Sequence, residues 1–400
     1  MSTTQAPIAR APTRTAVWLP VAAVLLGTGW GSNQFTPMLL VYGDTLGVGT
    51  GTREAMFGFY ALGLIPGLLL AGPLSDARGR RDVVLAAAGL SLLASVVLLA
   101  GESSVALLLA GRLITGVSNG AAFAAGTAWL RETSLPPIGS ATREAVARRA
   151  TIAMTAGFAL GPLVAGALAQ WAPSPTIVPY LPHVVLMAVV LVSALPVPET
   201  VASGTARARP LSAPGMRSAR FRRVVAPMAP WAFAAPAIAF AFLPSVIDAE
   251  DVDGGIAVVA AITTLTALTG VLIQPLARRL EEASASRNRA GILGLLLLSA
   301  GLVLAAATAE TGEIWLLVPC AVVLGAAYGL LLVAGLIEVQ RLASPDSLAA
   351  LTAVYYALTY LGFALPYLLT LAAPVAGYPV LLLATCVVAL GTAATVGRHS

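Results

Sequence analysis

Twelve long apolar runs, each bounded by charge, proline or glycine, recur along the chain. They cover 15–42, 55–74, 83–101, 105–130, 149–171, 178–197, 224–247, 255–276, 290–309, 314–339, 348–371 and 377–396. Roughly 20 consecutive apolar residues span the hydrocarbon core as a helix. Lipid offers no hydrogen bonds, so a spanning segment must satisfy its own backbone. The pattern therefore predicts an all-α polytopic membrane protein with twelve transmembrane helices. The first run, Val17 to Tyr42, outlasts the apolar region of a secretory signal and reads as an uncleaved span, with Arg10 and Arg14 anchoring its start.

The connectors between runs alternate in charge. With the N-terminus inside, 21 of the 23 arginines fall in inner segments; Arg53 lies outside and Arg112 lies within a span. Outer connectors carry the acids Asp44, Glu54, Glu102, Asp248, Glu250, Asp251, Asp253, Glu310 and Glu313. Basic loops stay on the cytoplasmic side of a cell membrane, so both termini are expected in the cytoplasm. The longest inner connector, 198–223, is rich in Pro, Ser, Ala and Arg and lacks helical apolar periodicity. It reads as a cytoplasmic linker between two six-helix bundles, 1–197 and 224–400, with a lipid-contacting surface helix as the weaker alternative for want of large apolar residues; Arg80 and Arg81 are expected to anchor to anionic membrane lipids.

Composition narrows the function. The chain is 58% hydrophobic and 10% charged, against about 25% charged residues in soluble domains. Every cationic side chain other than histidine is arginine. Without lysine there is no Walker A nucleotide loop and no Schiff base to a cofactor. Energy for transport must come from a gradient or a partner. Cys320 and Cys386 sit in apolar runs and read as buried thiols. His183 and His399 are far apart, with no Cys/His cluster to hold a metal. No nucleophile–base pair suggests an enzyme, and no cofactor or nucleic-acid partner is expected.

The two halves repeat at an offset near 200. Gly72, Arg80 and Arg81 match Gly270, Arg278 and Arg279; Gly116, Gly120 and Gly126 share the spacing of Gly325, Gly329 and Gly335. Gly157-Phe-Ala-Leu matches Gly362-Phe-Ala-Leu, and Pro20 and Pro37 share the spacing of Pro227 and Pro244. Duplicated halves, with a substrate site near the midplane between them, characterise many secondary transporters. Small residues at such spacings also let helices approach closely.

Three motifs in these places resemble the major facilitator superfamily. Gly72-Pro-Leu-Ser-Asp76-Ala-Arg78-Gly79-Arg80-Arg81 resembles its loop between spans two and three, with Ala77 where an arginine is usual. Arg112-Leu-Ile-Thr115-Gly116 resembles its span-four motif. Gly157-Phe-Ala-Leu-Gly161-Pro162-Leu-Val-Ala165-Gly166 resembles the span-five motif of its drug and metabolite antiporters. The resemblance implies that Asp76 faces the start of span eleven, Ser344-Pro345-Asp346-Ser347, and holds an inner gate with Gly72, Gly79, Arg80 and Arg81. It further implies exchange of small molecules against protons.

Candidate chemistry follows. Arg112 lies about 10 Å into its span at 1.5 Å per residue. A guanidinium there must face a cavity or a partner, binding an anion or tuning a carboxylate, unless it snorkels outward. The midspan stretch Trp30-Gly-Ser-Asn33-Gln34 is polar but carries no carboxylate, so Asp44, Glu338 and His183 are the remaining proton-coupling candidates beside Arg112. Asp44 and Glu338 also fit solvated span ends, and His183 a structural histidine. Trp30, Asn33, Gln34, Asn119, Trp231, Tyr328, Tyr355, Tyr356 and Tyr360 are candidate cavity residues. Aromatic walls with few charges suit hydrophobic or amphipathic substrates. The expected function is a monomeric, proton-coupled exporter of drugs or such metabolites. An uptake symporter and a non-transporting receptor or assembly partner are the alternatives.

Overall fold

The structure, a computed structural model, describes residues 16–201, 213–282, 288–344 and 347–399. Arg10, Arg14, Arg207, Arg209, Arg287, Pro345 and Asp346 lie outside them, so the anchoring of the first span and the Pro345 helix start are not described.

The described residues are helical nearly throughout. The helices are α1 Trp18–Asn33, α2 Phe35–Leu46, α3 Thr50–Arg78, α4 Arg80–Ala100, α5 Val105–Ser134, α6 Arg143–Trp171 and α7 Val178–Ala194. They continue with α8 Phe221–Val246, α9 Gly255–Glu282, α10 Arg289–Thr311, α11 Ile314–Leu342, α12 Leu348–Ala372 and α13 Tyr378–His399. Ten of them, all but α1, α2 and α7, are long and apolar enough to cross a membrane.

The ends follow local chemistry. Ser104 and Thr142 accept hydrogen bonds from the N–H groups of Leu107 and Ala145 and so cap α5 and α6. Gly312 ends α10 in the left-handed conformation. The first apolar run is interrupted at Gln34, where α1 gives way to α2. Proline interrupts α3 at Pro66 and Pro73, α6 at Pro162 and α8 at Pro230 and Pro236 without ending them. A π-turn occupies Ala122–Gly126 in α5, and two more occupy Phe221–Val225 and Ile238–Phe242 in α8. Helix α8 thus starts inside the stretch expected to be a linker, because Phe221, Val224 and Val225 are buried against the second half.

The packing recurs between the halves. In the first half α3 packs on α5, α1 on α6, and α4 on α5 and α7. In the second, α9 packs on α11, α8 on α12, and α10 on α11 and α13. The repeated glycines sit at these crossings. A Cβ on Gly116 would lie 2.0 Å from Tyr60 O, and one on Gly329 would lie 2.1 Å from Gly270 O. A Cβ on Gly157 would reach within 2.1 Å of Leu26 O in α1; on Gly362 it would reach within 2.1 Å of Pro230 O in α8. Backbones this close leave no room for any other residue. The halves meet where α6 runs along α9 and α3 along α12. Chain order places Trp18, Arg78, Arg143, Phe221, Glu282, Leu342 and His399 at one end, the basic end, and Leu46, Thr50, Gly101, Trp171 and Gly255 at the other, the acidic end.

Candidate substrate site and its gates

Arg112 is 1% exposed, so it does not snorkel. It donates through Nη1 to Ser32 O at 3.0 Å, through Nε to Met56 O at 3.3 Å and through Nη2 to Phe57 O at 3.4 Å. Its guanidinium carbon lies 4.8 Å from the ring centres of both Phe35 and Tyr60. A desolvated cation–π contact contributes on the order of 2 kcal/mol. Two rings and three carbonyls thus offset much of the roughly 2.5–3.5 kcal/mol that an arginine costs in mid-membrane. No carboxylate pairs with it among the described residues.

Tyr60 carries this site to the seam between the halves. Its hydroxyl accepts a hydrogen bond from Asn119 Nδ2 at 2.9 Å. Its ring meets Tyr360 edge-on at 6.2 Å and Phe363 at 6.1 Å. Phe233 stacks on Tyr360 at 4.5 Å and on Tyr328 at 5.5 Å. Phe57 completes the seam against Phe363 at 4.9 Å and Phe240 at 6.0 Å. Of the aromatic candidates, Tyr328 and Tyr360 belong to this cluster. Phe35, Phe57, Tyr60, Phe233, Phe240 and Phe363 were missed, because in an apolar run nothing separates a seam phenylalanine from a lipid-facing one. Only Tyr60, a hydroxyl within an apolar span, gave a signal that could have been read.

Other candidates go elsewhere. Gln34 donates to Ser95 Oγ at 2.9 Å, Ser95 Oγ lies 2.7 Å from His183 Nδ1, and His183 Nε2 lies 2.9 Å from Gly27 O. Gly27 O can only accept, so Nε2 carries the proton, and a neutral imidazole is satisfied with Ser95 donating to Nδ1. His183 therefore ties α7 to α1 and α4, and Gln34 is core rather than cavity. Asn33 donates to Phe158 O at 3.3 Å. The Trp30 ring is half-buried and its buried Nε1 has no partner among the described residues. Tyr355 is buried within the second half, donating to Leu331 O at 3.1 Å, with Tyr356 against its ring at 5.9 Å. Trp231 turns to α13 and donates to Thr392 at 3.2 Å. A separate groove of about 500 Å³ lies between α3, α4 and α5, near Leu70, Val83 and Val117, and none of the candidate residues lines it.

At the basic end, Asp76 pairs with Arg80 Nη1 at 2.5 Å; among the described residues it has no ion pair with the start of α12. Arg80 also pairs with Glu132 at 3.4 Å, and Glu132 accepts from Thr200 Oγ1 at 2.5 Å. Glu199 accepts from the backbone N–H groups of Arg80 and Arg81, each at 2.9 Å, and so caps α4 from outside it. Burial works against the Glu199 carboxylate, but these N–H groups outweigh it and hold its pKa below the usual range. Gly79 is required here twice: its φ is +110°, and a Cβ would meet Glu199 Oε2 at 2.4 Å. Gly72 faces open space. In the second half, Glu338 is buried rather than solvated. It accepts from Arg220 at 2.5 and 2.9 Å and from Arg341 at 2.8 Å. Arg341 pairs with Glu281 at 3.4 Å. These ion pairs stay within one half.

The acidic end differs. Arg53 and Glu54, read from the sequence as loop residues, lie within the first five residues of α3 and are 4% and 0% exposed. Arg53 pairs with Glu250 and, at 3.5 Å, with Asp248, and donates to Ser245 O at 3.2 Å. This cluster joins the halves. Gly43 makes room for the guanidinium, since a Cβ there would lie 2.8 Å from Nη1. Asp44 is exposed, a solvated helix end. Further cross-half bonds run from Ala257 N to Gln170 at 3.4 Å and from Thr264 to Ala159 O at 3.0 Å. The Gly157, Gly161, Pro162 and Gly166 motif serves close packing: Gly157 and Gly161 bring α6 onto α1, and Gly166 brings it onto Ala260 of α9. The Arg53 cluster and the Ala257–Gln170 bond thus hold the two halves together at the acidic end; among the described residues no ion pair joins them at the basic end.

A family model described as Major Facilitator Superfamily matches residues 19–366. No curated protein matches the chain. The fold is similar to that of a mutant of the nucleoside transporter NupG, with a TM-score of 0.73 at 13% identity over 96% of this chain and 99% of that one. It is similar also to a POT family transporter in complex with 5-aminolevulinic acid, with a TM-score of 0.75 at 13% identity over 94% of each chain. At that identity the likeness is one of fold. With the family model spanning most of its length, this chain belongs to the Major Facilitator Superfamily and is a multi-pass membrane transporter, not an enzyme.

Proposed function

We propose that the chain exports drugs or hydrophobic and amphipathic small metabolites across the cell membrane by alternating access, in exchange for protons. The observation that carries this reading is the aromatic seam of Tyr60, Phe233, Tyr328, Tyr360 and Phe363 at mid-helix, with the buried cation Arg112 behind it. Rings offer a lipophilic body large contact area with little demand for hydrogen bonds. Arg112, with no carboxylate partner among the described residues, also accommodates an anionic group on the substrate. The test is flux by the purified protein in liposomes across a compound panel, with and without an imposed proton gradient. Gradient-driven flux of lipophilic compounds is expected. Flux confined to strongly hydrophilic solutes, or flux indifferent to the gradient, rejects the reading. Reversing the gradient separates export from uptake symport.

The same reading takes α1 with α2 as one span broken at Gln34, and α7 as another, giving twelve spans in two six-helix bundles, 1–197 and 224–400, in a monomer. The basic end faces the cytoplasm, supported by the arginine distribution. There Asp76 is the inner gate residue: it leaves Arg80 for the N-terminal end of α12, whose partial positive charge attracts it, when the basic end closes. Asp76→Asn is expected to insert normally and to lose most of its turnover. Wild-type turnover in that variant removes the gate role.

A further inference from the structure

Glu54 is the one acid of the acidic-end cluster that the ion pairs leave out. Its side chain is fully buried, and neither carboxylate oxygen has a hydrogen-bond partner among the described residues. The Ser245 hydroxyl of the second half faces it and is likewise without a partner. Its own helix contributes Arg53, whose guanidinium is already engaged by Asp248 and Glu250. The start of α13 contributes Tyr378. Asp44, at the end of α2, is exposed. The cluster thus holds three carboxylates against one guanidinium. An ionised carboxylate buried without hydrogen bonds is heavily penalised, and the Arg53 guanidinium beside it, shared with Asp248 and Glu250, offsets only part of that cost.

We infer that Glu54 is a proton-binding site whose proton holds the acidic end closed. Protonated, Glu54 adds no charge and has Ser245 opposite it as a hydrogen-bond partner across the seam. When the proton leaves, the carboxylate gains by reaching water and competes with Asp248 and Glu250 for Arg53. Both effects loosen the only ion pairs that join the halves among the described residues. Proton loss therefore favours opening at the acidic end, and proton uptake there favours closure. This deepens the proton coupling proposed above and rests on it for its role in transport. The conformational switch itself needs no substrate.

The test uses the full chain in lipid nanodiscs, with Cys320 and Cys386 replaced by alanine. Spin labels are placed on cysteines substituted at the exposed positions Thr45 and Val252, one on each half. The distance between labels is read by pulsed electron paramagnetic resonance from about pH 5 to about pH 9. In the parent, the population at longer distance should grow as pH rises. Glu54→Gln, isosteric with the protonated acid, should stay at the short distance throughout. Glu54→Asp, which still titrates, should keep the pH response with a shifted midpoint. An unresponsive parent overturns the inference, and so does a Glu54→Gln variant that opens at the same pH as the parent. Flux in liposomes is read separately. If no compound moves with a proton gradient while the distance change still depends on Glu54, the transport reading fails and the proton site stands.

Discussion

Arg112 keeps a full charge in an apolar span by spreading it over carbonyls and ring faces rather than handing it to one acid. The arrangement needs the planar fork of a guanidinium, because an ammonium cannot serve three carbonyls on two helices while lying flat between two rings. Arg112→Lys and Arg112→Gln should therefore both lose transport while still inserting, with a stability loss of about 1–3 kcal/mol from the broken hydrogen bonds. Flux in liposomes, with thermal unfolding in detergent, checks both parts. The sequence located Arg112 because a charge deep in an apolar run has no bland explanation. It did not locate Glu54. That acid borders an apolar run beside a loop, where a carboxylate is usually solvated, and its burial beside Ser245 of the other half is a tertiary fact that no local pattern carries. Glu338 was misread for the same reason: Arg220, which shields it, is 118 residues away.

Helix pairs obey the glycines. Replacing Gly116 with alanine would force α5 away from Tyr60 O, and overpacking of this kind costs about 1–3 kcal/mol. Gly72→Ala is the control. Nothing lies within 4 Å of its Cβ position, so the gain in helix propensity, up to about 1 kcal/mol, should leave stability equal or higher. Thermal unfolding of the two variants in one detergent makes the comparison. The cap on α4 is a second element-scale device. Because its N–H partners lower the folded-state pKa of Glu199, its stabilisation is complete above the unfolded value and disappears as pH falls through the lowered folded value. Glu199→Gln should melt below the wild type at neutral pH, and the difference should vanish on acidification. An equal gap at both pH values rejects the cap. Helix positions were legible in the apolar runs, since each needs a whole bilayer thickness of sequence. The break at Gln34 was not, because Trp30 to Thr36 contains neither a charge nor a proline.

The whole molecule is asymmetric about its midplane. Arg53, Asp248 and Glu250 clamp one end, and among the described residues the ion pairs at the other stay within their own half. Arg53→Gln should release the clamp. Removing one partner of a buried pair costs about 3–5 kcal/mol, so the closed-to-open ratio at the acidic end should fall at least about a hundredfold. Labels on Thr45→Cys and Val252→Cys should then report the long distance even at acid pH. The repeat in the sequence points to two halves. It could not reveal which end they close, because Arg53 has no counterpart in the repeat and its partners lie in a connector.

That clamp has a consequence for what each side of the membrane experiences. A ligand arriving at the closed end binds only the open fraction, so its apparent affinity is reduced by that fraction. With one molecule in a hundred open there, the ligand would lose roughly 2.7 kcal/mol of its intrinsic binding before making a single contact. A ligand arriving at the basic end meets no such reduction from this clamp. The site proposed at the aromatic seam would thus be tight from one compartment and weak from the other, with no change in any residue lining it.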